Sequence, residues 1–92
     1  MASWADLQDY DEMIGALNSF CSDVSGACET MTTAAQQCVN VLENDITSLK
    51  SSKKVLLSVK EYNEAIVKAQ NLISCLEEEK QAIIEMLKSM DE

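Results

Sequence analysis

Residues 7–49 read LQDYDEMIGALNSFCSDVSGACETMTTAAQQCVNVLENDITSL and contain the longest regular apolar pattern of the chain. Every seventh residue from Leu7 to Leu49 is apolar, and a second column that starts three residues later, at Tyr10, stays apolar until Asp45. A third column consists of Met13, Phe20, Ala27, Ala34 and Val41. Apolar residues at alternating spacings of three and four lie on one face of an α-helix. The stretch therefore predicts one long helix over about residues 4–49.

A second apolar pattern begins at Val55 and again repeats every seven residues. One column is Val55, Tyr62, Ala69, Leu76, Ile83 and Met90, and its neighbour is Val59, Ile66, Ile73, Lys80 and Leu87. The chain has no Pro and only two Gly, so it lacks the residues that punctuate strand hairpins. We expect an all-α fold in which residues 1–92 form one domain, with the turn within about 44–57 and a second helix over about 55–90.

The two patterns match when the chain is folded back about residue 52. Apolar residues then face each other in nearly every layer, with Cys21 opposite Ile83 and Leu42 opposite Tyr62. In one layer Val24 faces Lys80, whose ammonium we expect to reach Asp23 or an acid of a partner. This agreement predicts an antiparallel helical hairpin of two long helices.

Short signals mark the expected helix ends. Ser3 and Asp6 have the spacing of a helix-capping box, and Ser58 and Glu61 repeat that spacing near the start of the second apolar pattern. Gly26, which follows a run of small and polar residues, is the place where we expect a kink in the first helix.

Charge and composition exclude several classes of function. The net charge is −9, there is no Arg, and no Lys occurs before Lys50, so binding to nucleic acid or to an anionic membrane surface is not expected. The chain has no His and no Gly-rich phosphate loop, and we expect neither an enzyme, nor a cofactor, nor a small-molecule substrate. Without a membrane-spanning apolar run or a signal peptide, we expect a protein that is cytoplasmic, or secreted without a cleaved signal.

Four cysteines are placed apart rather than in close pairs. Cys21, Cys28, Cys38 and Cys75 lack the C-x-x-C spacing of zinc sites, so no metal is expected. The first three lie on the apolar stripe, where a free Cys packs as a small apolar side chain. Folding the chain back about residue 52 puts Cys28 and Cys75 at nearly the same height along the two helices. Whether they form a disulfide is left open, and we favour reduced thiols.

Each helix carries about three apolar columns, whereas a two-stranded coiled coil buries two. The surplus side chains are predicted to contact a partner, so we expect a homodimer or a complex with a helical protein, most simply a four-helix bundle. The acidic first helix would face the Lys-bearing second helix of its neighbour. These predicted interface residues are Met13, Phe20, Val41, Leu56, Leu72, Ile84 and Met86.

An acidic chain of this length, with two long antiparallel helices after a short N-terminal lead, resembles the WXG-type (ESX-like) small proteins of type VII secretion and the related helical partners of LXG toxins. The resemblance covers the whole chain and is one of architecture. Residues 44–57 contain no Trp-x-Gly, the only Trp is Trp4, and the family's C-terminal Tyr-x-x-x-acid signal is absent. The resemblance implies a non-catalytic dimer or heterodimer that is exported, or that escorts a larger effector.

The sequence thus predicts a non-catalytic protein–protein interaction module. Two alternatives remain open: an acidic cytoplasmic inhibitor that mimics nucleic acid, and a structural component of a phage or another assembly.

Overall fold

Two long helices make up the protein. The structure, a computed structural model, describes residues 3–41 and 45–91, with the side chain of Asp91 excepted. Helix α1 spans Trp4–Val41 and helix α2 spans Ile46–Asp91, and within the described residues there is no strand. The helices pack against each other as an antiparallel hairpin, which confirms the predicted all-α fold. The predicted pair of Leu42 and Tyr62 involves the segment 42–44, which is outside the described residues.

The hairpin is a thin rod. Its principal extents are 73 × 15 × 14 Å and its radius of gyration is 20.6 Å. A globular domain of this length has a radius of gyration of about 12 Å. The rod shape follows from packing only two helices side by side, because each then has a single neighbour along its whole length.

The predicted residues Ser3 and Asp6 mark the start of α1, where the side chain of Asp6 makes one of the two bonds of a capping box. The backbone N–H of Ser3 donates a hydrogen bond of 2.7 Å to a carboxylate oxygen of Asp6, and the backbone N–H of Asp6 donates one of 3.0 Å to the carbonyl oxygen of Ser3. Two backbone groups that the helix leaves unpaired at its first turn are thereby satisfied.

The start of α2 differs from the prediction. The carboxylate of Asp45 accepts a hydrogen bond of 3.1 Å from the backbone N–H of Ser48, so Asp45 is the N-cap and the helix begins at Ile46. The predicted cap at Ser58 is wrong, since Ser58 lies inside α2 and donates its hydroxyl to the carbonyl oxygen of Lys54, 3.1 Å away. The helices therefore end and begin at residues 41 and 46, rather than at about 49 and 55.

The predicted pairing of the helices is also wrong, by about two heptads. Cys21 was expected opposite Ile83, but its Sγ atom lies 3.9 Å from the carbonyl oxygen of Ile66. The chain folds back about residue 45 rather than residue 52. As a result, the residue of α2 that faces a given residue of α1 lies about fourteen positions earlier in the sequence than predicted. Because fourteen is two heptads, the same apolar columns still face each other. The apolar pattern fixes which faces meet, and the observed register goes with an α2 that begins at Ile46, directly after the cap at Asp45.

Lys80 shows the consequence of the new register. It faces the first turns of α1 instead of Val24, and its ammonium donates a hydrogen bond to the carboxylate of Asp11, not to Asp23. Beside this ion pair the hydroxyl of Tyr10 donates a hydrogen bond of 3.2 Å to Glu79. Two adjacent residues on each helix thus join the helices at the end of the rod that is far from the turn.

The two predicted columns of each helix supply most of the contact between the helices, but Tyr62 and Met90 of the predicted α2 column are exposed. The buried apolar residues lie on these columns: Leu7, Cys28, Ala35, Val59, Ala69, Ile73 and Leu87. Near the turn, the face of α1 that contacts α2 is rotated away from the predicted columns. Thr32 and Val39 are therefore half-buried there, while Cys38, predicted to be in the core, is exposed. Such a rotation is expected because a straight helix rotates by about 20° per heptad relative to a strict seven-residue repeat.

We expect Asp45→Ala to lower the melting temperature at neutral pH. The hydrogen bond from the backbone N–H of Ser48 holds the pKa of Asp45 below its ordinary value, because it stabilises the carboxylate. A lowered pKa means that the stabilisation is full above the ordinary Asp range and is lost as the pH falls through the lowered value. Melting curves from pH 7 to about pH 2 should therefore show the difference between wild type and Asp45→Ala shrinking in acid. Asp45→Asn, which retains a capping oxygen, should melt closer to wild type at pH 7.

Gly26 lies within the uninterrupted helix α1, where a kink was expected. Its φ is not positive, and a methyl group added there would meet no atom within 4 Å. Gly26→Ala should therefore stabilise the protein by about 0.5–1 kcal/mol, because Ala loses less backbone entropy in a helix. Thermal melting followed by circular dichroism tests this, with Gly15→Ala, equally open, as the matched variant. A melting temperature unchanged in both variants would contradict a continuous helix at these positions.

Among the described residues, no helix is long and apolar enough to cross a membrane.

Candidate protein-binding surface

The hairpin has two flanks, one on each side of the contact between the helices. Ala34 of α1 and Ser51 of α2 line the same cleft, so they belong to one flank. Thr32 lines a cleft with Leu56 and Asn63, which belong to the opposite flank. Residues that are multiples of seven apart lie nearly above each other on a helix. Residues at heptad spacing from Ala34 or Ser51 therefore belong to the first flank, and residues at heptad spacing from Leu56 belong to the opposite flank.

One flank carries an apolar column on α1 and a column of mixed apolar and polar residues on α2. On α1 it carries Met13, Phe20, Ala27, Ala34 and Val41, at heptad spacing from Ala34. On α2 it carries Ala65, Leu72 and Met86, at heptad spacing from Ser51, and the same column also contains Ser58 and Glu79. We call the eight apolar residues the apolar strip and their side of the hairpin the strip flank.

The large side chains of the strip are exposed to solvent. Val41 is 69% exposed, Leu72 is 49%, and Met13, Met86 and Phe20 are 44%, 43% and 40%. All five were predicted from the sequence as interface residues, and the structure places them on one flank. The other two predicted residues, Leu56 and Ile84, are half-buried and lie on the opposite flank, four heptads apart. The prediction that these residues contact a partner remains a prediction.

The predicted interface residues did not include the small members of the strip, although Ala27 and Ala34 belong to the third predicted column of α1. Ala27 and Ala34 of α1 are exposed, and Ala65 of α2 is half-buried. They belong to the same heptad columns as the large members, and that spacing was the signal that could have identified them. Their small side chains leave shallow places between the large ones.

The hairpin buries little of its apolar surface. Among the described residues no large side chain is less than 2% exposed, and the accessible surface is 6685 Å². A globular protein of this mass exposes about 5,300 Å². The excess arises because a pair of helices covers one side of each helix and leaves the flanks open. An exposed apolar face of this extent is typical of an interaction site.

Charge is distributed unevenly along the rod. Residues 3–21 and 69–91, which form the open end, carry nine acids and two lysines, a net charge of −7. Residues 22–41 and 45–68, which form the turn end, carry five acids and five lysines, all on α2, a net charge of zero. At the open end the hydrogen bond that Tyr10 donates to Glu79 raises the pKa of Tyr10, because losing the phenolic proton would break that bond.

The cysteines are free thiols and do not form a cluster. Cys28 is buried, Cys21 is half-buried, and Cys38 and Cys75 are exposed. Cys28 and Val59 line one cleft, so Cys75 lies about 24 Å further along α2, which is too far for a disulfide with Cys28. Within the part of the chain that the structure describes, no group of three or more Cys, Asp or Glu residues could hold a metal ion.

The clefts of the described residues are open grooves along the two flanks, such as the one lined by Met31, Ala35, Ser52 and Val55. Such grooves suit side chains of a neighbouring helix better than a small molecule, which proteins usually enclose. A scan against known protein families and searches of curated proteins and of solved structures found no match to this chain, so the resemblance to WXG-type proteins stays a prediction from architecture.

Proposed function

We propose that this protein is a non-catalytic interaction module that works by burying its apolar strip against helices of a protein partner. The observation that carries the proposal is the exposure of five large apolar side chains in one line along both helices. Water contact with each such side chain costs free energy that a partner would recover, on the order of 1.5–3 kcal/mol per fully buried residue.

The shape of the strip favours a helical partner. It runs along the rod at heptad spacing and has grooves beside Ala34 and Ser51, which side chains of a parallel or antiparallel helix could fill. The simplest assembly with these contacts is a four-helix bundle, in which each helix gains a second neighbour.

The most specific form of the proposal is a role in type VII secretion, as a secreted small protein or as the helical partner of a larger effector. Its support is the hairpin of helices of 38 and 46 residues with a short connection, which resembles WXG-type proteins. Export would be tested by measuring the protein in the culture medium of its source cells with and without an active secretion ATPase. Equal amounts in both cultures would contradict this form and leave the interaction module.

The proposed function is tested by a strip variant with a matched control on the outer surface. Leu72→Glu places a charge on the strip, and Asn71→Glu places the same charge one residue away, on the exposed outer side of α2. We expect the complex formed by the tagged protein in its source cells to fall to the mass of the hairpin alone for Leu72→Glu, and to persist for Asn71→Glu. Equal masses for both variants and wild type would overturn the proposal.

A further inference from the structure

We propose that the apolar strip is covered by a second copy of this chain, packed strip against strip with the rod reversed, an inference that rests on the proposed function and specifies its partner. In this arrangement the open end of each copy lies over the turn end of the other. The two copies are related by a two-fold axis that crosses the rod at its middle.

The sizes of the strip residues match this arrangement. A two-fold axis beside Asp23 and Val24 places Phe20 opposite Ala27 of the second copy and Met13 opposite Ala34. Phe20 and Met13, the two large side chains of α1 nearest the axis, thus each meet a small one, as close packing between helices requires. Val41, at the end of the interface, lies opposite Asp6 of the second copy.

Helix α2 shows the same relation independently. An axis beside Lys68 and Ala69 places Leu72 opposite Ala65 of the second copy and Met86 opposite Ser51. The contacts of Cys21 with Ile66 and of Asp11 with Lys80 show which residues of α1 and α2 lie at the same height of the rod. By this comparison, the axis position deduced from α1 and the one deduced from α2 lie at the same height to within about one helical turn. One axis therefore accounts for the alternation on both helices.

A parallel arrangement matches poorly. With two rods side by side in the same direction, α1 of one copy lies over α2 of the other at equal height. Phe20 would then meet Leu72, and Ala27 would meet Ala65, so large side chains would crowd each other while small ones left gaps. Both defects destabilise a packed interface.

Charge also favours the reversed arrangement. A parallel pair would bring together two open ends that each carry −7. In the reversed pair α2 faces α2 of the other copy, so the acids at its open end lie along the turn-end segment of the other α2, which carries Lys50, Lys53, Lys54, Lys60 and Lys68. Helix α1, which has no Lys, faces α1 of the other copy and not the Lys-bearing helix that was expected from the sequence. Like charges placed together cost free energy and opposite charges placed together set the orientation of partners.

The available area is sufficient for a stable dimer. A face of a rod 73 Å long and 14 Å wide has an area of roughly 1,000 Å² per copy, against about 800 Å² per partner in an interface of standard size. The second copy is thus a partner that fits the strip in length, in side-chain volume and in charge.

The test is a swap of one large and one small residue, followed by sedimentation of the purified chain in reductant. Wild type should be a dimer at about 100 μM. Ala27→Phe should weaken the dimer at least about tenfold, because the introduced ring would meet Phe20 of the second copy at two places related by the axis. Phe20→Ala should weaken it similarly by leaving two cavities. The double variant Phe20→Ala/Ala27→Phe restores each large–small pair and should return the dissociation constant to within about threefold of wild type.

Three results would overturn the inference: a monomer at every concentration, an Ala27→Phe dimer as tight as wild type, or a double variant as weak as the single ones. Both positions are exposed in the hairpin, so helix content by circular dichroism should not change. The swap Met13→Ala/Ala34→Met repeats the test at the second pair should the first perturb folding. If the purified protein is a monomer but its complex in source cells is still lost on Leu72→Glu, the partner is not a second copy. The proposed function then stands, and only this inference is refuted.

Discussion

Ile73→Asp should unfold most of the hairpin at room temperature. Ile73 is 8% exposed in the middle of the contact between the helices. A carboxylate there would lose its hydration without gaining a partner, and the contact would lose a large apolar side chain, so we expect a loss of about 3 kcal/mol or more. In a protein of this size such a loss is a large part of the total stability. Helix content and thermal melting by circular dichroism measure it.

The matched control is Asn71→Asp, which adds the same charge to the same helix on its exposed side. It should melt within a few degrees of wild type. An Ile73→Asp variant that melts like Asn71→Asp would mean that Ile73 does not lie between the helices, and the assignment of all four facing columns would be wrong.

Ile66→Cys should form a disulfide with Cys21 on oxidation and raise the stability strongly. The Sγ atom of Cys21 already lies 3.9 Å from the backbone carbonyl oxygen of Ile66. Closing a loop of this length stabilises a protein by about 4 kcal/mol in the chain-entropy model, when the geometry is unstrained. Melting of the oxidised and the reduced forms of the same variant, with the cross-linked peptides identified by mass spectrometry, measures the effect.

Ile83→Cys is the control for the register, because folding the chain back about residue 52 would put Ile83 opposite Cys21. In the observed register position 83 lies about 25 Å further along α2, beyond the reach of a disulfide. A bond from Cys21 to position 83 and none to position 66 would show that the turn lies near residue 52 after all.

The faces that meet could be predicted from the sequence, but the register could not. Val59, Ile73 and Leu87 lie on a predicted column and are buried. The same columns also match after a shift of two heptads, so the apolar pattern alone does not choose between the two registers. The observed register goes with a helix start at Ile46, where Asp45 caps α2 through Ser48. In the sequence Asp45 was the residue at which an apolar column failed, and it lay at the edge of the predicted turn range 44–57.

The polar run around Ser52 was the second source of the error. Lys and Ser residues over 50–54 suggested a turn, yet this segment is helical. Exposed Lys favours a helix, and Ser52 is small enough to be buried beside Ala35. A polar composition thus hid a tight contact between two small residues next to the turn.

The large residues of the candidate surface could be predicted from the sequence, but the complete set of its residues could not. Met13, Phe20 and Leu72 follow from counting apolar columns, because two helices can cover only two columns each. The sequence columns already put Leu72 on one side of α2 and Leu56 and Ile84 on the other. Matching the side of Leu72 with that of Met13 and Phe20 on α1 required the clefts that group residues of both helices. The alternation of large and small residues becomes visible only once the register is known.

Photo-crosslinking from the strip in living source cells tests the central claim, that the strip is a protein-binding surface, most directly. A photoreactive amino acid would replace Phe20 on the strip or Ser19, the exposed residue beside it. We predict that position 20 forms a covalent adduct with a protein, either a second copy or another helical chain, and that position 19 forms little or none. Equal crosslinking from both positions, or none from position 20, would contradict the claim.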